Sequence, residues 1–174
     1  MDTRQQRRDK PGGPAPRPPA GRRTLYALSE EETSELGRAM GRGLRGGELV
    51  VLEGDLGVGK TTFTRGLAEG VGIDPGEVSS PSFTLVQEYK GGRVPFFHVD
   101  LYRLVDGDDD VSSLGLEDLM ASGGVVVVEW GDKLPSFLRH GALGVRFQDL
   151  GEGSRRIEIS PDARAAAAPS RGDA

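Results

Sequence analysis

The stretch Gly54-Asp55-Leu56-Gly57-Val58-Gly59-Lys60-Thr61 constrains this chain more than any other. It matches G-x-x-x-x-G-K-[ST] at every fixed position, and its flanks fit as well. Leu49 to Leu52 is a short continuous apolar run, the pattern of a strand buried on both faces of a parallel sheet. Lys60 to Gly70 reads as a helix, with Phe63, Leu67 and Val71 at spacings of four. Glycines let the backbone between them curl so that successive N–H groups converge on phosphate oxygens. The following helix aims its positive end at the same anion. Lys60 adds a cation for the β- and γ-phosphates, and the Thr61 hydroxyl can ligate Mg2+. Gly54, Asp55, Leu56, Gly57, Val58, Gly59, Lys60 and Thr61 are therefore expected to bind a nucleotide. Thr62 is either a second-turn contact or an exposed helix residue.

The rest of the chain alternates strands and helices. Thr24 to Leu28 reads as a short strand. Ser29 before Glu30, Glu31 and Glu32 is an N-cap with acidic first-turn residues, opening a helix to about Gly43. Phe83 to Tyr89 and Val94 to Val99 are strand candidates, the second interrupted by Pro95. Leu114 to Met120 suits a short helix, and Arg156 to Ile159 a last edge strand. Val125 to Val128, four valines in a row, is the strongest buried-strand signal. The expected fold class is α/β, a phosphate-loop nucleotide-binding fold with a mostly parallel central sheet flanked by helices.

A nucleotide site with a metal needs a carboxylate at the end of a buried strand, facing the loop. Glu129 follows Val125 to Val128 directly, and Asp100 follows Phe96-Phe97-His98-Val99. Parallel strands bring both ends to the side where ligands bind in open α/β sheets. Glu129 is the better metal candidate, because its strand is cleaner. Asp100 could orient water, support the metal shell or act as a base. His98 is expected to be packed or paired, and Trp130 to pack near the site. Asp106, Asp108, Asp110 and Glu117 sit at positions 1, 3, 5 and 12 of a calcium-loop pattern. Position 6 is Val111 instead of Gly, so a solvated acidic loop is the better reading.

Composition narrows the class. Residues 1–23 hold seven basic and two acidic residues, a net of +5, so the remainder carries −10 within the total of −5. This Pro/Arg-rich start has too little apolar content to offset its ordering entropy and is expected to be a disordered basic tail, solvated or touching RNA. Residues 161–174 read as a second disordered tail, leaving 24–160 as the folded domain. The acidic remainder argues against a strong direct grip on nucleic acid, which needs clustered Lys and Arg. With no cysteine, thiolate metal sites and cysteine nucleophiles are excluded. No apolar run is long enough to span a membrane, and the N-terminus lacks the apolar stretch of a secretory signal, so a cytoplasmic protein is expected. The chain also has no asparagine. The Asn-Lys-x-Asp guanine-reading motif is therefore missing, which favours ATP over GTP. A small-molecule kinase is the alternative class, but only Arg103 and Arg65 fall near the inferred site, and no Arg-rich lid can be placed.

Several segments together resemble the bacterial TsaE (YjeE) family, the ATPase of tRNA threonylcarbamoyladenosine biosynthesis. They are Gly54 to Thr62 continuing into Phe63-Thr64-Arg65-Gly66, then Ser80-Pro81-Ser82-Phe83-Thr84-Leu85 and His98-Val99-Asp100-Leu101-Tyr102-Arg103. Leu114-Gly115-Leu116-Glu117-Asp118, Val128-Glu129-Trp130 and the weaker Glu30-Glu31-Glu32-Thr33 complete the set, which covers about 24–160. One departure is Ser82, where the family usually has Thr; the hydroxyl is kept. The resemblance implies an ATPase that is weak alone, with ATP and Mg2+ as cofactors and the metal held by Thr61 and Glu129. It implies that Lys60, Asp100 and Glu129 are catalytic, and that Ser80, Ser82 and Thr84 form a switch near the γ-phosphate. Residues near Glu31 and near Gly153 are implied to touch the base or ribose. The implied partners are TsaB and TsaD, with tRNA reached indirectly through them.

Overall fold

The computed structural model describes residues 21–104 and 111–161. Both expected tails fall outside these residues, apart from a few positions next to the domain, and so do Asp106, Asp108 and Asp110. The ordered elements are β1 (Arg23–Ala27), α1 (Glu30–Gly41), β2 (Leu49–Glu53), α2 (Lys60–Val71), β3 (Val86–Tyr89), β4 (Phe96–Asp100), α3 (Leu116–Ala121), β5 (Val125–Glu129), β6 (Leu143–Gly151) and β7 (Ser154–Ser160).

One seven-stranded sheet runs in the order β1-β7-β6-β2-β5-β4-β3. Its centre is parallel: β2 pairs with β5 and β6, and β4 with β5. The flanking pairs β1–β7, β6–β7 and β3–β4 are antiparallel. The apolar runs of β2 and β5 occupy the centre because both of their faces are covered. On one face Val50, Leu52, Val125, Val127 and Phe96 pack against Phe63, Leu67 and Val71 of α2. On the other, Val51, Val126, Val128 and Val99 pack against Leu116, Leu134 and Leu138.

The position of α2 is set by glycines. Gly37 and Gly41 of α1 lie against Gly66 and Gly70 of α2, and the two backbones touch. A Cβ on Gly66 would stand 2.1 Å from the Ser34 carbonyl oxygen, and one on Gly41 would stand 2.3 Å from that of Leu67. Arg93 then ties the ends of both helices together, donating to the carbonyls of Gly41 and Gly70 at 3.1 Å each. At the start of α1, Ser29 accepts from Glu32 N at 3.1 Å, while the Glu32 carboxylate accepts from Leu28 N at 2.7 Å.

Four expectations change. The strand expected over Phe83 to Tyr89 begins only at Val86, because Leu85 takes a left-handed φ of 63° and the residues before it form a turn. The segment expected from Val94 starts at Phe96, leaving Pro95 outside the ladder. The terminal strand is Ser154–Ser160, and it is internal, paired with β1 on one side and β6 on the other. The nine-residue β6 was missed, although Leu143, Val145 and Phe147 alternate inward with period two.

Candidate functional site

The loop at residues 54–59 leaves the C-terminal end of β2 and enters α2, beside the ends of β4 and β5. Gly54 has a φ of 147°, and a Cβ there would stand 2.9 Å from the Phe147 carbonyl oxygen. Gly59 has a φ of 113° and occupies the N-cap of α2. A side chain there would be strained by that φ, and its Cβ would stand 2.5 Å from the Arg155 guanidinium, which would have to shift. Val58 is buried and anchors the loop in the core, while Leu56 is exposed at its tip.

A cleft of about 390 Å3 opens over this loop. Leu56, Gly57 and Gly59 to Thr62 form its floor, and Ser80, Ser82, Asp100, Tyr102, Glu129 and Trp130 face them. Thr62, ambiguous in the sequence, thus belongs to the cleft. Glu30 reaches the rim, whereas Glu31 is an exposed neighbour that does not line it. Thr84 is exposed and outside the lining; only its carbonyl is engaged, accepting from Val86 N at 2.8 Å. Gly153 forms the β6–β7 turn, where its carbonyl accepts from Arg155 at 2.7 Å.

Lys60 is 4% exposed. Its ammonium donates to the carbonyls of Gly54 at 2.6 Å and Asp55 at 2.7 Å, and lies 4.0 Å above the Trp130 ring. Burial pushes its pKa below the usual lysine value, opposed by the negative charges of Glu129, Asp100, Asp132 and Asp55.

Asp100 and Glu129 end adjacent parallel strands as register partners, each 3% exposed. The Thr61 hydroxyl donates to Glu129 Oε2 at 3.1 Å. Glu129 Oε1 meets His98 Nε2 at 2.8 Å, so the expected pairing of His98 is with this carboxylate. Asp100 Oδ2 accepts from Ser80 and, at 3.2 Å, from Ser82, while Oδ1 accepts from Tyr102 N at 2.9 Å. Trp130 stacks on Tyr102 at 5.0 Å between ring centroids. Ser80, Ser82, Thr61, Glu129 and Asp100 are therefore gathered from four separate parts of the chain.

Two arginines matter here that sequence reasoning missed. Arg155 packs its guanidinium over Gly59, and the only cue was its place beyond the Gly153 turn. Arg139 is buried and joins the two strand ends that carry the site. It pairs with Glu53 and donates to the Gly131 carbonyl at 2.9 Å, while Arg146 reaches the other Glu53 oxygen at 3.0 Å. Arg103 and Arg65, the cations expected near the site, turn elsewhere. Arg103 lies 4.2 Å above the exposed Phe83 ring, and Arg65 donates to the Val78 carbonyl at 2.9 Å.

Comparison with known proteins fits this arrangement. The family model described as "Threonylcarbamoyl adenosine biosynthesis protein TsaE" matches residues 27–157. The chain belongs to the TsaE family. A protein named tRNA threonylcarbamoyladenosine biosynthesis protein TsaE from Nostoc sp. is 39% identical over 141 residues, 79% of this chain and 85% of that one. Its namesake from Bacillus subtilis is 38% identical over 133 residues, 76% and 82% of the two chains. The crystal structure of Bacillus subtilis YdiB superposes with a TM-score of 0.63 at 30% identity, covering 84% of this chain and 90% of that one. Among TsaE relatives, then, this chain matches over the segment that builds the cleft.

The donor set also suits a hard cation. Thr61 and Glu129 offer two oxygens beside an anion cradle, the small protein share that Mg2+ takes when phosphates and water supply its other ligands. Among the described residues, no three His, Cys, Asp or Glu side chains group closely enough to hold a metal by themselves. No helix among them is long and apolar enough to cross a membrane.

Proposed function

We propose that this chain binds ATP with Mg2+ and hydrolyses it as part of tRNA threonylcarbamoyladenosine biosynthesis, in the cytoplasm, together with TsaB and TsaD. The observation that carries this reading is the Thr61–Glu129 pair placed beside a phosphate-binding loop, with Asp100 on the neighbouring strand. Loop N–H groups at 54–59 and the N-terminus of α2 hold phosphate oxygens. Lys60 faces the β- and γ-oxygens as a cation. Thr61 and Glu129 would hold Mg2+, whose positive charge would supply electrostatic stabilisation at the phosphates.

Asp100 takes a proton from the attacking water. The water oxygen bonds to the γ-phosphorus, the bond to the bridging oxygen breaks, and ADP and phosphate leave. Ser80 and Ser82 now hold the carboxylate oxygen that would do this. Their segment therefore sets whether Asp100 is presented to water, which makes it a switch. Thr84 contributes backbone only. Coupling that switch to the TsaB–TsaD pair would make turnover weak alone and stronger with partners.

The test measures phosphate release with and without the partner pair, with product analysis alongside. Free phosphate, stimulated several-fold by the pair, is expected. A phosphorylated small-molecule acceptor would replace this reading with a kinase. Depletion of the protein should lower threonylcarbamoyladenosine in bulk tRNA, and an unchanged level would refute the pathway.

A further inference from the structure

We infer that His98 is a positioning residue that holds the Glu129 carboxylate in its metal-binding pose. The inference rests on the proposed Mg2+ role of Glu129 and assigns the group behind it. His98 and Asp100 are two residues apart on β4, so their side chains share a face. Val127 is the register partner of His98, and Glu129 lies two residues beyond it on β5, on that same face. The imidazole therefore meets Glu129 diagonally across the two strands.

The two carboxylate oxygens have different surroundings. Oε2 faces Thr61 and the cleft. Oε1 points inward to His98 Nε2 at 2.8 Å. Thr64 also lies near Oε1, at 3.4 Å, but its single hydroxyl proton has a shorter bond to the Lys60 carbonyl at 3.0 Å. His98 is thus the donor at Oε1. Its other ring nitrogen, Nδ1, is buried without a partner. The Nε2 contact fixes the carboxylate with Oε2 turned toward Thr61. Hydrogen bonds behind a ligating carboxylate are worth about 10–100-fold in metal affinity.

The experiment uses the full chain and calorimetric titration of MgCl2 in the presence of ADP, with ADP binding in EDTA as control. His98→Leu should weaken Mg2+ about 10-fold or more and leave metal-free ADP binding unchanged. His98→Gln, whose amide can reach the Nε2 position, should return to within about 3-fold of wild type. If His98→Leu does not fold, His98→Gln against His98→Asn carries the same comparison, since the shorter amide cannot span to Glu129. Unchanged Mg2+ affinity in His98→Leu, or equal loss in Gln and Asn, would overturn the assignment alone. A wild-type protein whose ADP binding ignores Mg2+ would overturn the metal reading and this inference with it.

Discussion

Asp100 and Glu129 end neighbouring strands, in register and equally buried, yet they are held by different parts of the molecule. Glu129 is gripped by regular elements: His98 from β4 and Thr61 from α2. The helix is in turn seated by glycine contacts with α1, and the turn after Glu129 is tied to β2 through Arg139. Asp100 is gripped by Ser80 and Ser82, from an exposed segment ahead of the left-handed Leu85, and by the next turn of its own chain. A carboxylate fixed by packed elements suits a constant task such as holding a cation. One fixed by an irregular surface segment suits a task that is turned on and off, because loops open at lower free energy than core elements.

The sharpest way to break this contrast is to delete each carboxylate in turn. Both Asp100→Ala and Glu129→Ala should lose about 100-fold or more in phosphate release. Only Glu129→Ala should lose the Mg2+-dependent part of ADP affinity, read from Trp130 fluorescence. If Asp100→Ala loses it equally, the two carboxylates do one job and the contrast fails. Lys60→Ala removes a charge-assisted contact shared by both sides of the site. It should weaken nucleotide binding by about 1.5–3 kcal/mol, measured by the same titration.

Next, the packed side can be loosened without touching the cleft. Gly66→Ala forces α1 and α2 apart and should lower stability by about 1–3 kcal/mol in chemical denaturation. The Ser80–Ser82 side should respond in the opposite way. Ser80→Ala combined with Ser82→Ala should cut phosphate release about 10-fold, as expected when hydrogen bonds to a charged group are lost, with little change in the denaturation midpoint. Thr84→Ala, exposed and outside the cleft, should change neither.

The smallest effect concerns Lys60, whose charge both carboxylates favour. Burial lowers its folded pKa below the ordinary 10.5, so the unfolded chain keeps this proton to higher pH. The unfolded state then binds more protons in that window, and stability rises with pH there. The stability of wild type relative to Lys60→Met should therefore climb as pH rises toward 10.5. A flat or falling difference would show that the neighbouring carboxylates outweigh burial.

Much of this was legible in the residues. The loop from Gly54 to Thr61 was readable because phosphate binding needs fixed glycines, a lysine and a hydroxyl at fixed spacing within one local segment. β2 and β5 were readable because a strand covered on both faces is apolar throughout. Glu129 and Asp100 could be placed because each directly follows such a run. β6 was also readable in principle, since its inward residues alternate.

What the residues could not reveal depends on contacts between distant segments. The turn over Phe83 to Leu85 overrode an alternating pattern because Ser80 and Ser82 are drawn to Asp100, about twenty positions on. The terminal strand became internal only because β1 returns to cover it. His98 reads as an ordinary core histidine until β5 is laid beside β4. Arg139 carries no local mark at all. The sequence by itself determined a phosphate loop and two buried strand-end carboxylates, because backbone geometry and burial act over a few residues. Only the tertiary structure decided which groups hold each carboxylate, because hydrogen-bond partners 18 to 68 residues apart meet through strand register and helix packing.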